Sequence, residues 1–253
     1  MQALGNDFVV IETITQTFKA TPERIKKLAD RHYGIGCDQV LIIGMSDNPQ
    51  ADFEYTIYNN DGSSAKQCGN GARCVGLFIK EEGLSSKNKI TLATADHLTH
   101  VDMSHAENIS VEIGVPVFDQ EKSKQLNMGV LSIGNPHLII QVPNIAQADV
   151  ANIGIGYNQQ NPLFPEGVNV SFYEIISKEH VKLRVFERGV GETLACGSAA
   201  SATMAYLRHL NLINDTVKIN LPGGELTVSW AGGEKPVILK GNAENVFTGV
   251  YTL

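Results

Sequence analysis

The sequence lacks several features that would place it in other classes of protein. No apolar run among its 253 residues approaches membrane-spanning length, and its first residues lack the basic and long apolar segments of a secretory signal. No block of Lys and Arg offsets the net charge of -7, so we expect neither nucleic acid nor a membrane as partner. With 43% hydrophobic and 19% charged residues, the chain is expected to be a soluble globular protein of the cytoplasm.

Cysteine is scarce, and its spacing disfavours two common uses of this residue. The sequence has four cysteines and no CxxC pair, which argues against a zinc site or a thioredoxin-like redox centre. Cysteines of the cytosol are kept reduced. We therefore expect thiol chemistry, and no metal, at Cys37, Cys68, Cys74 and Cys196.

Strand and helix signals in the first half of the chain predict a mixed α/β fold. Thr21 as N-cap and Pro22 at the first helical position predict a helix that Gly34 ends. A second helix is expected after Gly71, with its end at Gly83. Runs typical of strands lie at residues 8–11, 40–43, 53–58, 89–94 and 98–102.

The second half of the sequence repeats the first with a constant shift. Cys68 superposes on Cys196 with a shift of 128 residues and no gap. The expected helix end at Gly83 then coincides with Asn211, and both residue types tolerate the left-handed conformation that ends helices. The repeat predicts two structural copies. Further matched pairs are Gly69 and Gly197, Ala72 and Ala200, Phe78 and Tyr206, Ile79 and Leu207, Leu84 and Leu212, Leu98 and Leu226, and Thr99 and Thr227.

The repeat also places the domain boundary. A boundary near Gly114 divides the chain into an N-terminal half at residues 1–114 and a C-terminal half at 115–242. The polar run 119–125 is expected to be a link into the second copy. A last strand is expected at residues 246–251. Because it has no counterpart in the middle of the chain, the segment 243–253 is assigned to return to the first domain.

Each copy runs from a strand into Cys-Gly and then into a helix. Backbone N–H groups and the helix dipole favour negative charge at a helix N-terminus, so we expect the pKa of both thiols to fall below about 8.5. The adjacent glycines, Gly69 and Gly197, let the same N–H groups approach a carboxylate. Two such half-sites facing each other across a cleft suit inversion of a stereocentre, with Cys68 and Cys196 as base and acid on opposite faces of one carbon. Cys37 and Cys74 are instead expected to be buried structural residues.

Three other features can be interpreted in two ways from the residues alone. His137 follows a Gly-Asn-Pro turn and is either a core histidine or a site residue. The asparagines are turn formers as readily as ligands. Glu187-Arg188 follows the apolar strand 181–186 and enters the loop before Cys196, so it is either an exposed ion pair or a clamp for a zwitterion.

Over nearly its whole length the sequence resembles the diaminopimelate epimerase family. The ordered motifs that carry this resemblance are Leu4-Gly5-Asn6-Asp7-Phe8, Gly36-Cys37-Asp38-Gln39, Asn59-Asn60-Asp61-Gly62-Ser63, Gln67-Cys68-Gly69-Asn70-Gly71-Ala72-Arg73-Cys74, Gly134-Asn135-Pro136-His137, Gly167-Val168-Asn169-Val170 and the run Glu187 to Ser198. The resemblance implies two pseudo-symmetric α/β domains of the α+β type, each with strands wrapped around a central helix.

The resemblance also implies an activity. It is the interconversion of LL- and meso-2,6-diaminopimelate, in lysine and peptidoglycan precursor synthesis, with no cofactor. Cys68 and Cys196 would be the two bases, with His137 and Glu187 near the thiols. A small-molecule substrate is the expected partner, and a homodimer is left open. The implied substrate contacts are Asn6, Gln39, Asn59, Gly69, Asn70, Asn135, Asn169, Glu187, Arg188, Gly197 and Ser198.

The chain departs from the family pattern in four places. Fewer residues precede Leu4, and the segment between Phe118 and Gly129 is shorter than in many members. Ala95-Asp96-His97 stands where Ala-Asn-Gly is usual, and Ser198-Ala199-Ala200 replaces Ser-Gly-Ala. None of these changes removes a catalytic group, but together they leave room for a different amino-acid substrate.

Three alternatives stay open at this point. A racemase of a monoamino acid such as histidine or proline would use the same two thiols. A non-catalytic amino-acid binding protein would need the asparagines and the arginine but not both thiols. A thiol oxidoreductase would need the two sulfurs within bonding distance, whereas an epimerase needs a substrate carbon between them.

Overall fold

The chain, seen in a computed structural model that describes residues 1–252, forms two compact units. The first consists of Met1–Val111 together with the chain from Gly241 onward, and the second is Glu112–Lys240. The sequence places the corresponding boundaries after residues 114 and 242.

The first unit contains two helices and most of the strands that the sequence predicts. Helix α1 follows strand β2, and helix α2 follows the short strand β5. Its elements are β1 (Gln2–Ala3), β2 (Asn6–Glu12), α1 (Pro22–Ala29), β3 (Gln39–Met45), β4 (Phe53–Asn59), β5 (Ser64–Ala65), α2 (Gly69–Glu81), β6 (Lys89–Ala93), β7 (Leu98–Asp102) and β8 (Ile109–Gly114), the last of which runs across the boundary.

The second unit contains the same succession, preceded by a short strand and a short helix. Its elements are β9 (Val117–Phe118), α3 (Gln120–Leu126), β10 (Gly129–Ser132), β11 (Pro136–Gln141), a 3-10 turn (Ile145–Gln147), α4 (Val150–Asn158), β12 (Asn169–Ser177), β13 (His180–Glu187), β14 (Gly191–Thr193), α5 (Gly197–His209), β15 (Thr216–Leu221), β16 (Gly224–Ser229) and β17 (Val237–Gly241).

The two units share one strand topology. In the first, β2 pairs parallel with β3, β4 pairs antiparallel with β3 and parallel with β6, and β6 pairs antiparallel with β7. In the second, β11 pairs parallel with β12, β13 pairs antiparallel with β12 and parallel with β15, and β15 pairs antiparallel with β16. The predicted internal repeat is therefore confirmed in structure.

Helices α2 and α5 are the central helices of their units. Both have thirteen residues, and their bounds differ by the predicted shift of 128. Most residues of each helix are buried, including Val75 and Ile79 in α2, while Phe78 is half-buried. Gly83 and Asn211, which follow the two helices, both have positive φ values, of 65° and 57°. The mixed α/β fold with central helices agrees with the prediction.

Helix α1 begins as predicted and ends earlier. The Thr21 side chain accepts a hydrogen bond from the Arg24 amide, and Pro22 is the first helical residue. The helix ends at Ala29 rather than near Gly34, because the Asp30 carboxylate accepts hydrogen bonds from the amides of His32 and Tyr33. These bonds form a turn that replaces the next helical turn.

The polar run 119–125 is a helix rather than an extended link. Helix α3 has the Asp119 side chain as N-cap, accepting from the Lys122 amide at 2.9 Å, and Asn127 as a left-handed C-cap with φ of 52°. None of the residues of α3 is buried, so the helix has no apolar face and its sequence is polar throughout most of its length. Its local capping signals, and not apolar periodicity, define the helix.

The expected last strand at residues 246–251 is absent from the described chain. The chain does return to the first unit, through reciprocal backbone hydrogen bonds of 2.9 Å between Gln2 and Glu244. Beyond this bridge the backbone finds no ladder partner, and Val246, Phe247 and Val250 are exposed by 62%, 66% and 101%. Strand propensity alone does not form a strand where no neighbouring edge is available.

Candidate active site

Each predicted cysteine is the N-cap of a central helix. Cys68 precedes α2 with φ of -147° and ψ of 106°, and Cys196 precedes α5 with φ of -132° and ψ of 113°. The sulfur of Cys68 accepts a hydrogen bond from the Gly71 amide at 3.3 Å. The fold therefore brings each sulfur to the amide end of a buried helix, as the sequence predicts.

Cys68 lies at the end of a polar chain that starts at the protein surface. Its thiol is 3.9 Å from Oδ1 of Asn6, and the side-chain amide of Asn70 donates a hydrogen bond to the same oxygen at 3.4 Å. The Asn6 amide donates to Asp38 at 2.9 Å, and Asp38 accepts from Arg31 at 2.8 Å. The predicted site residues Asn6, Cys68 and Asn70 are thus brought together, and Asp38 and Arg31 hold Asn6 in place.

A small pocket adjoins Cys68 within the first unit. Tyr55 lies in its wall with a fully buried hydroxyl that has no hydrogen-bond partner among residues 1–252. Burial raises the pKa of Tyr55 well above its usual value, so the phenol stays neutral. The residues that line the pocket are Tyr55, Gln67, Cys68, Gly69, Ala72, Thr94, Thr99 and Val111.

The other two cysteines are buried, and neither is the N-cap of a helix. Burial raises the pKa of Cys37 to about 11 and that of Cys74 to about 12. Both side chains are almost completely removed from solvent. They are structural residues, in agreement with the sequence-based expectation.

Cys196 differs from Cys68 in its electrostatic surroundings. It is buried, and its pKa lies well above the usual value, first because of burial and second because of the Glu187 carboxylate. Hydrogen bonds from Ser198, whose Oγ lies 3.5 Å from the sulfur, and from the Ala199 amide lower the pKa but do not prevail. The expectation of a lowered pKa is therefore wrong for Cys196, because burial and a neighbouring carboxylate outweigh the helix N-terminus.

Glu187 is placed beside Cys196 by the end of strand β13. Its carboxylate accepts a hydrogen bond from the Thr193 hydroxyl at 2.5 Å, across the β13–β14 pair. The thiol of Cys196 is stabilised in its protonated form by this negative charge. Glu187 is thus near a thiol, as the family resemblance implies, and Thr193 is a supporting residue that sequence reasoning missed.

Two other side chains, Asn135 and Ser198, link His137 to Cys196. Its Nε2 lies 2.8 Å from Oδ1 of Asn135, and the Asn135 amide donates to Ser198 Oγ at 3.4 Å. Burial lowers the pKa of His137 to about 3, so the ring is neutral and Nε2 carries the proton that Asn135 accepts. Nδ1 has no hydrogen-bond partner in the described chain. His137 therefore orients Asn135 and is not a cationic acid.

The remaining predicted contacts form two pairs on neighbouring strands. Gln39 donates to Asn59 at 2.9 Å, and these residues are register partners in β3 and β4. In the second unit the Asn169 side chain accepts from the Arg188 amide at 2.9 Å, while the guanidinium of Arg188 donates to the Glu166 carbonyl at 3.1 Å. Gly69 and Gly197 are the buried first residues of α2 and α5.

Arg73 is the most notable residue that the site prediction omitted. Its side chain is 0% exposed and lies in α2, one turn after Cys68 and Gly69. The signal was present in the sequence, because an arginine interrupts an otherwise apolar helix pattern. The residues that the structure describes contain neither a group of three or more His, Cys, Asp and Glu side chains that could hold a metal ion nor a helix able to cross a membrane.

Two units of one topology, each with a cysteine as the N-cap of its central helix, define a class of proteins with a duplicated α/β domain. The chain belongs to the diaminopimelate epimerase family. The model of that family matches residues 1–118 and 129–246. The stretch between the two matches contains α3.

Named relatives agree with this assignment. The chain is 44% identical to a diaminopimelate epimerase of Teredinibacter turnerae, over 100% of this chain and 98% of that protein. It is 41% identical to a diaminopimelate epimerase of Thioalkalivibrio sulfidiphilus, over 98% and 96%. Among solved structures, a PhzF-family phenazine biosynthesis protein of Bacillus anthracis shares the fold with a TM-score of 0.70 and 17% identity, covering 96% and 92% of the two chains.

Proposed function

We propose that this epimerase interconverts LL- and meso-2,6-diaminopimelate with Cys68 and Cys196 as its two bases. A thiolate removes the proton from the α-carbon, and the thiol of the other cysteine returns its own proton to the opposite face. One proton is taken up and one released in each turnover, so the thiolate and thiol exchange roles and no cofactor is consumed.

One observation carries this proposal. The same strand topology delivers one cysteine to the first turn of α2 and another to the first turn of α5. Amide groups at these turns can donate to the α-carboxylate of the substrate, and that stabilisation grows as the carbanion forms. The two half-sites differ in the groups around sulfur, which fits one cysteine resting as a base and the other as an acid.

Selection of diaminopimelate needs groups beyond the two helix ends, because these can bind the carboxylate of any amino acid. We assign Arg188, with Asn59 and Asn169, to the distal carboxylate and Glu187 to an ammonium group of the substrate. Charge-assisted hydrogen bonds of this kind are the stronger class. Lysine lacks the distal carboxylate and would leave these groups without that partner, at a cost of about 1–3 kcal/mol for a buried group such as Asn169.

The proposal includes a reducing compartment, which for this chain is the cytoplasm. Proton transfer requires both thiols in reduced form. A homodimer stays a prediction, to be measured by light scattering of the purified protein.

The test is an assay of purified protein with LL-diaminopimelate in deuterium oxide. We expect formation of the meso isomer together with deuterium at the α-carbon. Specificity constants for diaminopimelate, lysine and histidine are compared in wild type and Arg188→Ala. Arg188→Ala should lower the constant for diaminopimelate by orders of magnitude and change that for histidine much less.

The racemase alternative predicts a different order of substrates. If histidine, proline or another monoamino acid has the highest specificity constant in the wild type, the diaminopimelate assignment is wrong. Absence of deuterium incorporation with every amino acid tested would contradict proton transfer altogether.

A further inference from the structure

Arg73 is a buried cation without a carboxylate partner. Its guanidinium donates to the Asn242 carbonyl at 3.1 Å, to the Gly69 carbonyl at 3.3 Å and to Oδ1 of Asn70 at 2.9 Å. All three acceptors are neutral, and the side chain forms no ion pair within residues 1–252. A guanidinium has five N–H donors, so these bonds do not saturate it.

A buried charge of this kind is disfavoured unless an opposite charge lies near it. Burial lowers the pKa of Arg73 to about 10, which leaves the group positive at neutral pH. The titratable groups that interact with Arg73 are Cys68 and Cys74. Tyr55 interacts with both of these thiols, and the N-terminal amine interacts with Cys74. Tyr55 and Cys74 stay neutral because burial raises their pKa values, and the amine is itself a cation. Cys68 is therefore the one of these groups able to supply a negative charge.

The hydrogen bonds connect Arg73 with the sulfur of Cys68 in a definite order. Arg73 binds Oδ1 of Asn70 and so directs the Nδ2 group of that amide towards Asn6, at 3.4 Å. The same Asn6 oxygen lies 3.9 Å from the sulfur of Cys68. Arg73 thus fixes which end of the Asn70 amide is presented to the other polar groups around Cys68.

The second unit has no equivalent cation. Shifted by 128 residues, Arg73 corresponds to Ser201, which is fully buried and whose hydroxyl has no partner among the described residues. By the same shift Glu187, which disfavours the thiolate of Cys196, corresponds to the neutral Asn59. Arg73 thus places a positive charge near Cys68, Glu187 places a negative charge near Cys196, and neither residue has a charged counterpart at its repeat position.

We propose that Arg73 is a positioning residue that orients Asn70 and, through its charge, holds Cys68 as the thiolate of the resting enzyme. This inference rests on the proposed function in taking Cys68 as a proton-transferring group. A purely structural arginine would require its size and hydrogen bonds, whereas this role requires its charge as well.

The test compares two variants of similar side-chain length. Arg73→Lys keeps the charge, and Arg73→Gln keeps hydrogen-bonding capacity without charge. The alkylation of Cys68 by iodoacetamide is followed against pH by mass mapping, which separates this thiol from the other three. Circular dichroism checks folding, and Ser201→Ala at the repeat position is the matched control.

We expect Arg73→Gln to raise the alkylation midpoint of Cys68 by about one pH unit, which is a tenfold loss of thiolate below the midpoint. Its kcat should fall by about tenfold or more for the same reason, while Arg73→Lys stays closer to wild type in both. Ser201→Ala should leave the Cys68 midpoint unchanged. Equal losses of kcat in Arg73→Lys and Arg73→Gln, with no movement of the midpoint, would overturn the charge role.

Two further outcomes keep the inference separate from the proposed function. If Arg73→Gln does not fold, the wild-type midpoint decides, because a value at or above about 8.5, that of an ordinary thiol, contradicts a resting thiolate. If the wild type fails to epimerise diaminopimelate but the Cys68 midpoint moves as expected, the function is wrong and the influence of Arg73 on Cys68 stands.

Discussion

Helices α2 and α5 begin in the same way and differ in what surrounds their first turns. Each is thirteen residues long and follows a cysteine in extended conformation. Cys68 is half-buried, accepts a hydrogen bond from the Gly71 amide and lies near the buried Arg73. Cys196 is buried and lies beside the carboxylate of Glu187. A duplicated backbone therefore supplies two similar positions for a cysteine, and the side chains around these positions differ in charge.

Removal of either sulfur is expected to have the largest effect on activity. Cys68→Ala and Cys196→Ala should each lower epimerisation by more than about 10³-fold, because a single base cannot return the proton from the opposite face. The measurement is formation of meso-diaminopimelate by variants that retain the wild-type circular dichroism spectrum. Cys37→Ala and Cys74→Ala are the controls and should remain active. Near-normal turnover by either of the first two variants would contradict two-base catalysis.

Removing the charge from Glu187 should make the two thiols more alike. In Glu187→Gln the carboxylate that raises the pKa of Cys196 is lost, so the alkylation midpoint of Cys196 should move to lower pH. Turnover should fall by about 10- to 100-fold, since a weakly held proton leaves Cys196 before substrate binds. Mass-mapped alkylation against pH measures the midpoint.

Glu192→Gln is the matched control for this variant. Glu192 lies on β14 close in sequence to Thr193 but pairs with Arg184 at 2.6 Å. Its loss should leave the Cys196 midpoint where it is. An equal shift in both variants would mean that the effect is one of overall charge and not of the Glu187 position.

A methyl group added to the first turn of α2 is expected to have a different effect from one removed at the same position of α5. Gly71 corresponds to Ala199, and a Cβ atom at Gly71 would lie 2.5 Å from the Tyr55 hydroxyl and 3.3 Å from Leu41. We expect Gly71→Ala to lower the free energy of unfolding by about 1–3 kcal/mol through overpacking. Ala199→Gly should cost only about 1 kcal/mol, the ordinary difference between these residues inside a helix. Urea unfolding measures both, and a smaller loss in Gly71→Ala than in Ala199→Gly would contradict the tight approach of Tyr55.

Another expected difference between the two units concerns acid stability. His137 begins the β11–β12 pairing where Phe8 begins the β2–β3 pairing, so only the second unit has a titratable group there. The folded-state pKa of His137 is lowered to about 3, below the value of the unfolded chain, so its contribution is present above pH 6.5 and is lost as pH falls towards 3. From pH 7 to pH 5 the loss should be about 2 kcal/mol.

His137→Gln should remove this part of the pH dependence, whatever its effect on stability at neutral pH. Urea unfolding of wild type and variant at pH 7 and pH 5 gives the two differences. If the variant loses as much stability as the wild type over this range, the histidine is not neutral and buried as described.

Much of the fold could be predicted because the relevant signals are local. Thr21 and Pro22 define the start of α1, and Gly83 and Asn211 mark the left-handed turns that follow the central helices. The repeat added a constraint of long range, since a constant shift relates two sets of apolar positions. The failures were local as well. The side chain of Asp30 ended α1 early, and residues 246–251 lacked a strand to pair with.

The sequence by itself identified the two cysteines that precede the central helices, the repeat that relates them and the family to which the chain belongs. It could do so because helix-start geometry depends on neighbouring residues, and a glycine after each cysteine is visible in the sequence. Only the tertiary structure decided which charges surround the thiols. Burial of Arg73, the approach of Glu187 to Cys196 and the neutral ring of His137 depend on side chains from separate strands and helices and on the exclusion of water. Electrostatic effects of this kind scale with burial and distance, which residue order does not specify.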